Sequence, residues 1–299
     1  MMNPIKVILR PAYYPLKRAV DIWGYKAFVK ESEIQVRNTA ETIDYILTNQ
    51  VSVSRFGDGE YMVMNHGGNG FQNPNEELGK RLKEVLNARL PDHIVCLPYA
   101  FVNVEHMTAD AKSFWYPFCG RYKDFILKIT DSQKVYYDTN FTRFYMDVKN
   151  KLHVGRTVER LKKIWDGRDL FIIEGEYSCL GIGNNLFDNT RSIQRIIAPS
   201  RNAFLKYDQI LETAVKMIPK NALVLSALGM TATVLCYDLA KLGYWAIDIG
   251  HVDIEYSWFR MGAKKKCPIS GKAVNEINAS PEKECNAKVY RQSIIAVVK

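Results

Sequence analysis

Two periods of apolar residues alternate along the chain, and their order predicts its architecture. Helical spacing marks residues 32–49, where Ile34, Thr39, Ile43, Ile46 and Leu47 recur behind the candidate cap Ser32. The same spacing covers 75–90, ended by Pro91, then 112–129, with a break expected at Pro117, and 154–165. Short apolar runs at 93–97, 134–137 and 169–173 have strand length. The clearest unit comes later. Residues 222–226 read as a buried strand, 227–231 as a tight turn of small residues, 232–242 as a helix stopped by Gly243, and 244–249 as the next strand. A strand at 194–198 and a helix at 207–217 lead into it. Such a βαβ unit implies parallel strands joined by a right-handed crossover. Strand alternating with helix from residue 93 onward therefore predicts an α/β fold, a doubly wound, mostly parallel sheet of Rossmann-like βαβ units flanked by helices. No internal repeat or linker interrupts it. A single catalytic domain is expected over 31–276, after a basic N-terminal extension (1–30) and before a C-terminal tail (277–299).

In an open parallel sheet, ligands bind beyond the carboxyl ends of the strands, so chemistry is sought there. The stretch Arg55-Phe56-Gly57-Asp58-Gly59-Glu60 sets two carboxylates two residues apart between glycines. Hard oxygen ligands suit Mg²⁺ or Mn²⁺, and Gly57 and Gly59 let a phosphate-bearing ligand approach the backbone. An Asp-Gly pair beside the alternation Val51-Ser52-Val53 is equally the signal of a plain hairpin turn. Arg55 would either pair with Asp58 or face a diphosphate with its fork of donors. Gly229 and Thr231 sit in a turn that opens a helix, a natural seat for phosphate, although most such turns are structural and no Walker A or GxGxxG motif accompanies this one. Asn184 and Asn202 lie in two further polar strand exits. His251-Val252-Asp253-Ile254-Glu255 alternates, so an extended backbone would turn His251, Asp253 and Glu255 to one side, as metal ligands or a general base; a solvated edge fits as well. Glu174 and Glu176 read as surface carboxylates.

Charge and composition narrow the partners. The 299 residues are 47% hydrophobic, ample for a core, and the net charge of +9 favours anionic partners. No nucleic-acid motif is present, so nucleic acid is not an expected partner. Residues 1–30 carry Lys6, Arg10, Lys17, Arg18, Lys26 and Lys30 against Asp21 alone, mixed with Tyr13, Tyr14, Leu16, Trp23 and Tyr25. That pattern is compatible with peripheral contact with an anionic membrane; Pro11 and Pro15, expected to interrupt any helix, favour a loosely packed extension. Six cysteines without CxxC spacing argue against a zinc site or a disulfide framework, and with no secretory signal or spanning run they imply a cytoplasmic protein, at most peripheral at the inner face of the membrane. Homo-oligomerisation stays open.

Five separated blocks resemble a known family. Arg55–Glu60, Gly181-Ile-Gly-Asn-Asn-Leu-Phe187, Arg195-Ile-Ile-Ala-Pro-Ser-Arg-Asn-Ala-Phe204, Leu228-Gly-Met-Thr-Ala-Thr-Val-Leu235 and residues 243–256 are similar, in order, to the bacterial glycosyltransferases of the GT-D fold. The resemblance implies an Asp-x-Glu metal motif at Asp58 and Glu60, a UDP-sugar donor such as UDP-glucose bound with Mn²⁺ or Mg²⁺, and a glycan or glycoprotein acceptor in surface glycoconjugate synthesis. By position and resemblance, Glu255 is the expected general base if the transfer inverts, a retaining transfer needing none, with His251 or Asp253 assisting the metal or orienting the donor. A metal-dependent nucleotide phosphoesterase and a non-catalytic nucleotide-binding module are the alternatives.

Overall fold

The computed structural model describes residues 10–274, 277 and 287–299; Lys6, Cys285 and Glu276, the expected end of the domain, lie outside them. The first element corrects the reading of the extension. Arg10–Glu31 is one helix, α1. Pro11 falls in its first turn, where an amide has no helical acceptor, and Pro15 is carried inside the helix. Its second half is packed, not loose: Phe28 is fully buried and meets Phe101 edge-on at 5.4 Å, and Tyr25 Oη donates to the Ala100 carbonyl at 2.9 Å.

The helix expected from residue 32 starts later, as α2 (Thr39–Asn49), because Asn38 and Glu41 form a capping box that fixes its first turn. Ahead of it, Gln35–Val36 (β1) pairs with Val135–Asp138 (β4). Ser52–Arg55 (β2) leads into α3 (Asp58–Met64), α4 (Glu76–Asn87) and the fully buried strand β3 (His93–Leu97). Ala109–Ile129 (α5) runs on through Pro117 without the expected break. The remaining elements are α6 (Val154–Lys162), β5 (Asp169–Gly175), β6 (Ser192–Ala198), α7 (Tyr207–Met217), β7 (Leu223–Ala227), α8 (Met230–Lys241), β8 (Trp245–Asp248), α9 (Val252–Met261), α10 (Lys288–Ser293) and β9 (Ile294–Val297).

Among the described residues the strands form one nine-stranded sheet in the order β1-β4-β3-β2-β8-β7-β5-β6-β9, and its pairings are all parallel. The doubly wound expectation holds. Strand residues divide between two cores: Phe171, Ile173 and Val224 face one packed by α3, α4, α5, α7 and α8, while Leu170, Ile172 and Leu225 face another packed by α2, α6 and α9. Period-two alternation on a sheet covered on both sides produces that division. The C-terminal residues are not a tail outside the domain, because β9 pairs with β6 as the edge strand. Among the described residues, no helix is long and apolar enough to cross a membrane.

Burial sets one pH-sensitive contribution to stability. His93, on β3, places Nε2 2.8 Å from Ser54 Oγ, and burial, aided by the charge of Lys134, pushes its pKa down from 6.5 to about 3. Between those values the unfolded chain binds a proton that the folded one does not, so stability is complete above pH 6.5 and is lost on acidification. The urea midpoint of His93→Gln is expected to vary less with pH in that window, with the slope reduced by close to one proton, about 1.4 kcal/mol per pH unit. Parallel profiles for the two proteins would refute the assignment.

Candidate active site

β2 and β8 are neighbours, yet β2 runs into α3 on one face of the sheet and β8 into α9 on the other. Adjacent strands that leave to opposite faces open a crevice at their carboxyl ends. A cleft of about 810 Å³ lies there, of the size that holds a nucleotide-scale ligand.

Arg55, at the end of β2, crosses to β8: Nε lies 3.3 Å from Asp248 Oδ1, and Nη1 donates to Thr142 Oγ1 at 2.6 Å and to the Thr139 carbonyl at 3.3 Å. Asp248 is buried, and burial raises its carboxyl pKa while Arg55 opposes the rise. The partner of Arg55 is thus Asp248, not Asp58. The guanidinium fits because residue 250 is glycine, with φ +46; a Cβ there would sit 1.8 Å from Arg55 Nη2. Asp248 ends an apolar strand facing the cleft, the signal by which sequence reasoning could have found it.

Asp58-Gly59 is not a hairpin turn. Gly57 caps α3, and Asp58 and Glu60 occupy its first turn, where negative charge complements the helix dipole. Both line the cleft. Glu60 reaches back so that Oε2 accepts the Gly57 amide at 2.7 Å. Its carboxyl is pushed up to about 7, chiefly by burial and further by the charges of Asp248 and Asp58. Two carboxylates lining one cleft suit a divalent cation only if a bound diphosphate or water completes its shell, because among the described residues no group of three or more His, Cys, Asp or Glu is placed to hold an ion. A Cβ at Gly59 would lie 2.5 Å from Met230 Cε at the head of α8, a contact that a shift of the flexible methionine end would relieve.

Residues 251–255 are not extended. His251 precedes α9 and lines the cleft, whereas Asp253 and Glu255 lie in its first turns, where positions two apart point to different sides. Asp253 reaches the cleft wall but is held: Oδ1 accepts from the Gly181 amide at 2.9 Å and from Asn184 Nδ2 at 2.7 Å, and Oδ2 is 2.5 Å from Lys272 Nζ. Glu255 is fully buried behind the wall. Its Oε2 accepts the amides of Tyr145 and Met146 at 2.8 Å each, its Oε1 has no partner, and burial pushes its carboxyl up to about 7.

The other expected contacts divide. Gly229 lines the cleft with φ +54, and a Cβ there would lie 2.8 Å from Phe71. Thr231 is buried within α8, away from the cleft lining. Asn184 acts on Asp253, also donating to Ser257 Oγ at 3.1 Å. Asn202, in the left-handed region, accepts the Asn73 amide and donates its own to the Phe71 carbonyl, pinning the loop over the cleft. Glu174 is no surface carboxylate: it is fully buried against Arg195 at 2.5 Å, and both bind Leu180, which shapes the 176–187 loop. Phe114, Trp115, Tyr177 and Lys264–Lys266 also line the cleft, and sequence reasoning did not single them out as site residues. Aromatics and lysines far apart in sequence carry no local signal of convergence.

Comparison with known proteins shows the family and the fold. A family model described as "Glycosyltransferase GT-D fold" matches residues 53–277. The chain is 38% identical over 265 residues to "Glycosyltransferase GlyD" of Streptococcus pneumoniae, covering 88% of this chain and 32% of that protein. It is 39% identical over 272 residues to "Probable glycosyl transferase Gly" of Streptococcus gordonii, covering 89% and 39%. The chain therefore spans well under half the length of these curated relatives. Among solved structures, one described as "The highly conserved domain of unknown function 1792 has a distinct glycosyltransferase fold" superposes with TM-score 0.88 at 38% identity, covering 93% of this chain and all of that one. "A New Glycosyltransferase (DUF1792) from Streptococcus sanguinis" gives 0.85 at 37%, covering 89% and all of that chain.

The Arg55 seat generates a double-mutant test. Gly250→Ala is expected to lower the unfolding free energy by about 3 kcal/mol, because it expels Arg55 and strands the Asp248 carboxylate. In an Arg55→Ala background the same change should cost only about 1 kcal/mol, for the left-handed backbone alone. Additive losses in chemical denaturation would count against the contact.

Proposed function

Because the chain belongs to the glycosyltransferase GT-D fold family, we propose that it moves a glycosyl group from a UDP-sugar, UDP-glucose or a relative, to a hydroxyl of a glycan or glycoprotein acceptor in bacterial surface glycoconjugate synthesis. The observation that carries the reading is the pair Asp58 and Glu60 at the head of α3, facing the same cleft as Gly229 at the head of α8. The N-terminus of α8 at Gly229 and the cleft lysines Lys264–Lys266 favour a diphosphate there. Asp58 and Glu60 would hold Mn²⁺ or Mg²⁺ together with the donor's phosphates; His251 lines the same cleft. When bound, the ion supplies Lewis-acid neutralisation of the departing diphosphate's charge. Phe71, Phe114, Trp115 and Tyr177 offer apolar faces for a uracil ring and for the flat side of a sugar.

Glu255 is the proposed base that takes the acceptor hydroxyl's proton in an inverting transfer. Its carboxyl, pushed up to about 7, has the proton affinity that general-base catalysis near neutrality favours, and its Oε1 is without a partner. The 145–146 segment covers it, so this role requires that segment to shift when the acceptor binds.

Asp58→Ala and Glu60→Ala are each expected to cut sugar transfer from UDP-glucose at least about a hundredfold, with the circular dichroism spectrum unchanged. The assay reads glycosylated acceptor and released UDP in the presence of Mn²⁺. Donor cleavage between its phosphates with no glycosylated product would replace the reading with a phosphoesterase, and nucleotide binding without turnover across an acceptor screen would replace it with a binding module. Glu255→Gln should lower kcat by about 10²–10⁴-fold while leaving UDP affinity intact. Wild-type turnover in this variant would remove the base assignment.

A further inference from the structure

We propose that α1 is a docking helix for an anionic lipid surface, with Tyr13, Leu16, Val20 and Trp23 inserting at headgroup depth. These residues recur at intervals of three, four and three, which at ~100° per residue lines them along one side of the helix. Tyr25, which with Phe28 anchors the helix to the body of the protein, lies on the opposite side, and all four stripe residues are exposed. Residues 13–20 are exposed without interruption, Leu16 at 67%, and Trp23 beyond them at 71%. Tyr and Trp beside aliphatic residues suit the boundary between water and acyl chains, where an aromatic ring keeps one end wet.

Charge chooses the occupant. The acidic residues within α1 are already engaged, Asp21 with Lys17 at 2.9 Å and Glu31 with Lys123 at 2.9 Å. Lys26 and Lys30, which the helical period sets beside the stripe, are exposed and have no ion pair among the described residues. A second copy of the chain laid along the stripe would bring these cations against their equals. An anionic surface neutralises them, and each adds about 1 kcal/mol of attraction there.

The helix is also tied to the cleft. A Cβ on Gly24 would lie 3.4 Å from the Gly120 Cα, so α1 and α5 cross almost backbone to backbone. The first turns of α5 then line the cleft through Asp110, Ala111, Phe114 and Trp115. A lipid surface held by α1 is in this way mechanically linked to the site, while the inference itself rests on α1 alone and is independent of the reading of the cleft.

The test is co-sedimentation of the full chain with vesicles of phosphatidylcholine containing phosphatidylglycerol, against phosphatidylcholine alone. Binding is expected to the anionic vesicles only and to weaken with salt. Leu16→Glu with Trp23→Glu, both at exposed positions, should reduce it at least about tenfold without changing the melting temperature, and Lys26→Gln with Lys30→Gln should do the same. Tryptophan emission should shift to the blue with vesicles, and the shift should vanish in Trp23→Phe although that variant still binds. Equal sedimentation of wild type and the Leu16→Glu/Trp23→Glu variant overturns the proposal. So does a dimer, detected by ultracentrifugation, that the same pair of substitutions dissolves while vesicles bind nothing.

Discussion

The ion pair between Arg55 and Asp248 is the contact on which the site depends. It joins the two strands at which the sheet's winding reverses, and it does so with charges removed from water. Such a pair is costly to assemble and more costly to break, because either partner left alone is a buried charge. The surroundings are arranged to keep it. Thr142 and Thr139 take the second nitrogen of the guanidinium, Thr233 Oγ1 donates to the Arg55 carbonyl at 2.9 Å, and Gly250 leaves the room that any side chain would occupy. With Arg55 fixed, the backbone of residues 56–60 is fixed, and the two carboxylates of α3 follow.

Buried carboxylates elsewhere serve shape. Glu174 with Arg195 organises the loop after β5, and Asp253 with Lys272 and Asn184 clamps that loop to α9. Each is satisfied from both sides, as buried charge requires. Glu255 differs, because one of its oxygens has no partner. A polar atom left unmatched in an otherwise matched set is what distinguishes it from the structural acids.

Much of the sheet was legible because buried parallel strands are apolar runs and surface helices have a period of their own. His93–Leu97 and Tyr207–Met217 occur with the expected bounds. Pro11 and Pro15 signal a break that does not occur, because a helix tolerates proline near its start and tertiary contacts from Tyr25 and Phe28 hold the rest. The alternation from His251 to Glu255 looked extended because five residues sample too little of either period, and partners at Gly181, Asn184, Tyr145 and Met146, distant in sequence, let acidic side chains be buried in a helix. Asp58 and Glu60 were found by local sequence, but the helix that presents them was not, since Asp-Gly also suits a turn.

The strand order has a consequence for how the molecule is made. β2 contacts β8 through Val53 and Ile247, and Arg55 waits 193 residues for Asp248. During synthesis β2 is complete long before its neighbour on that side exists, so a growing chain carries an open sheet edge along Ser52–Arg55 until most of its length has emerged. Closure of the sheet's centre and assembly of the cleft are then the same late event. A partly made chain has no site at all, and long-range parallel pairing of this kind folds slowly.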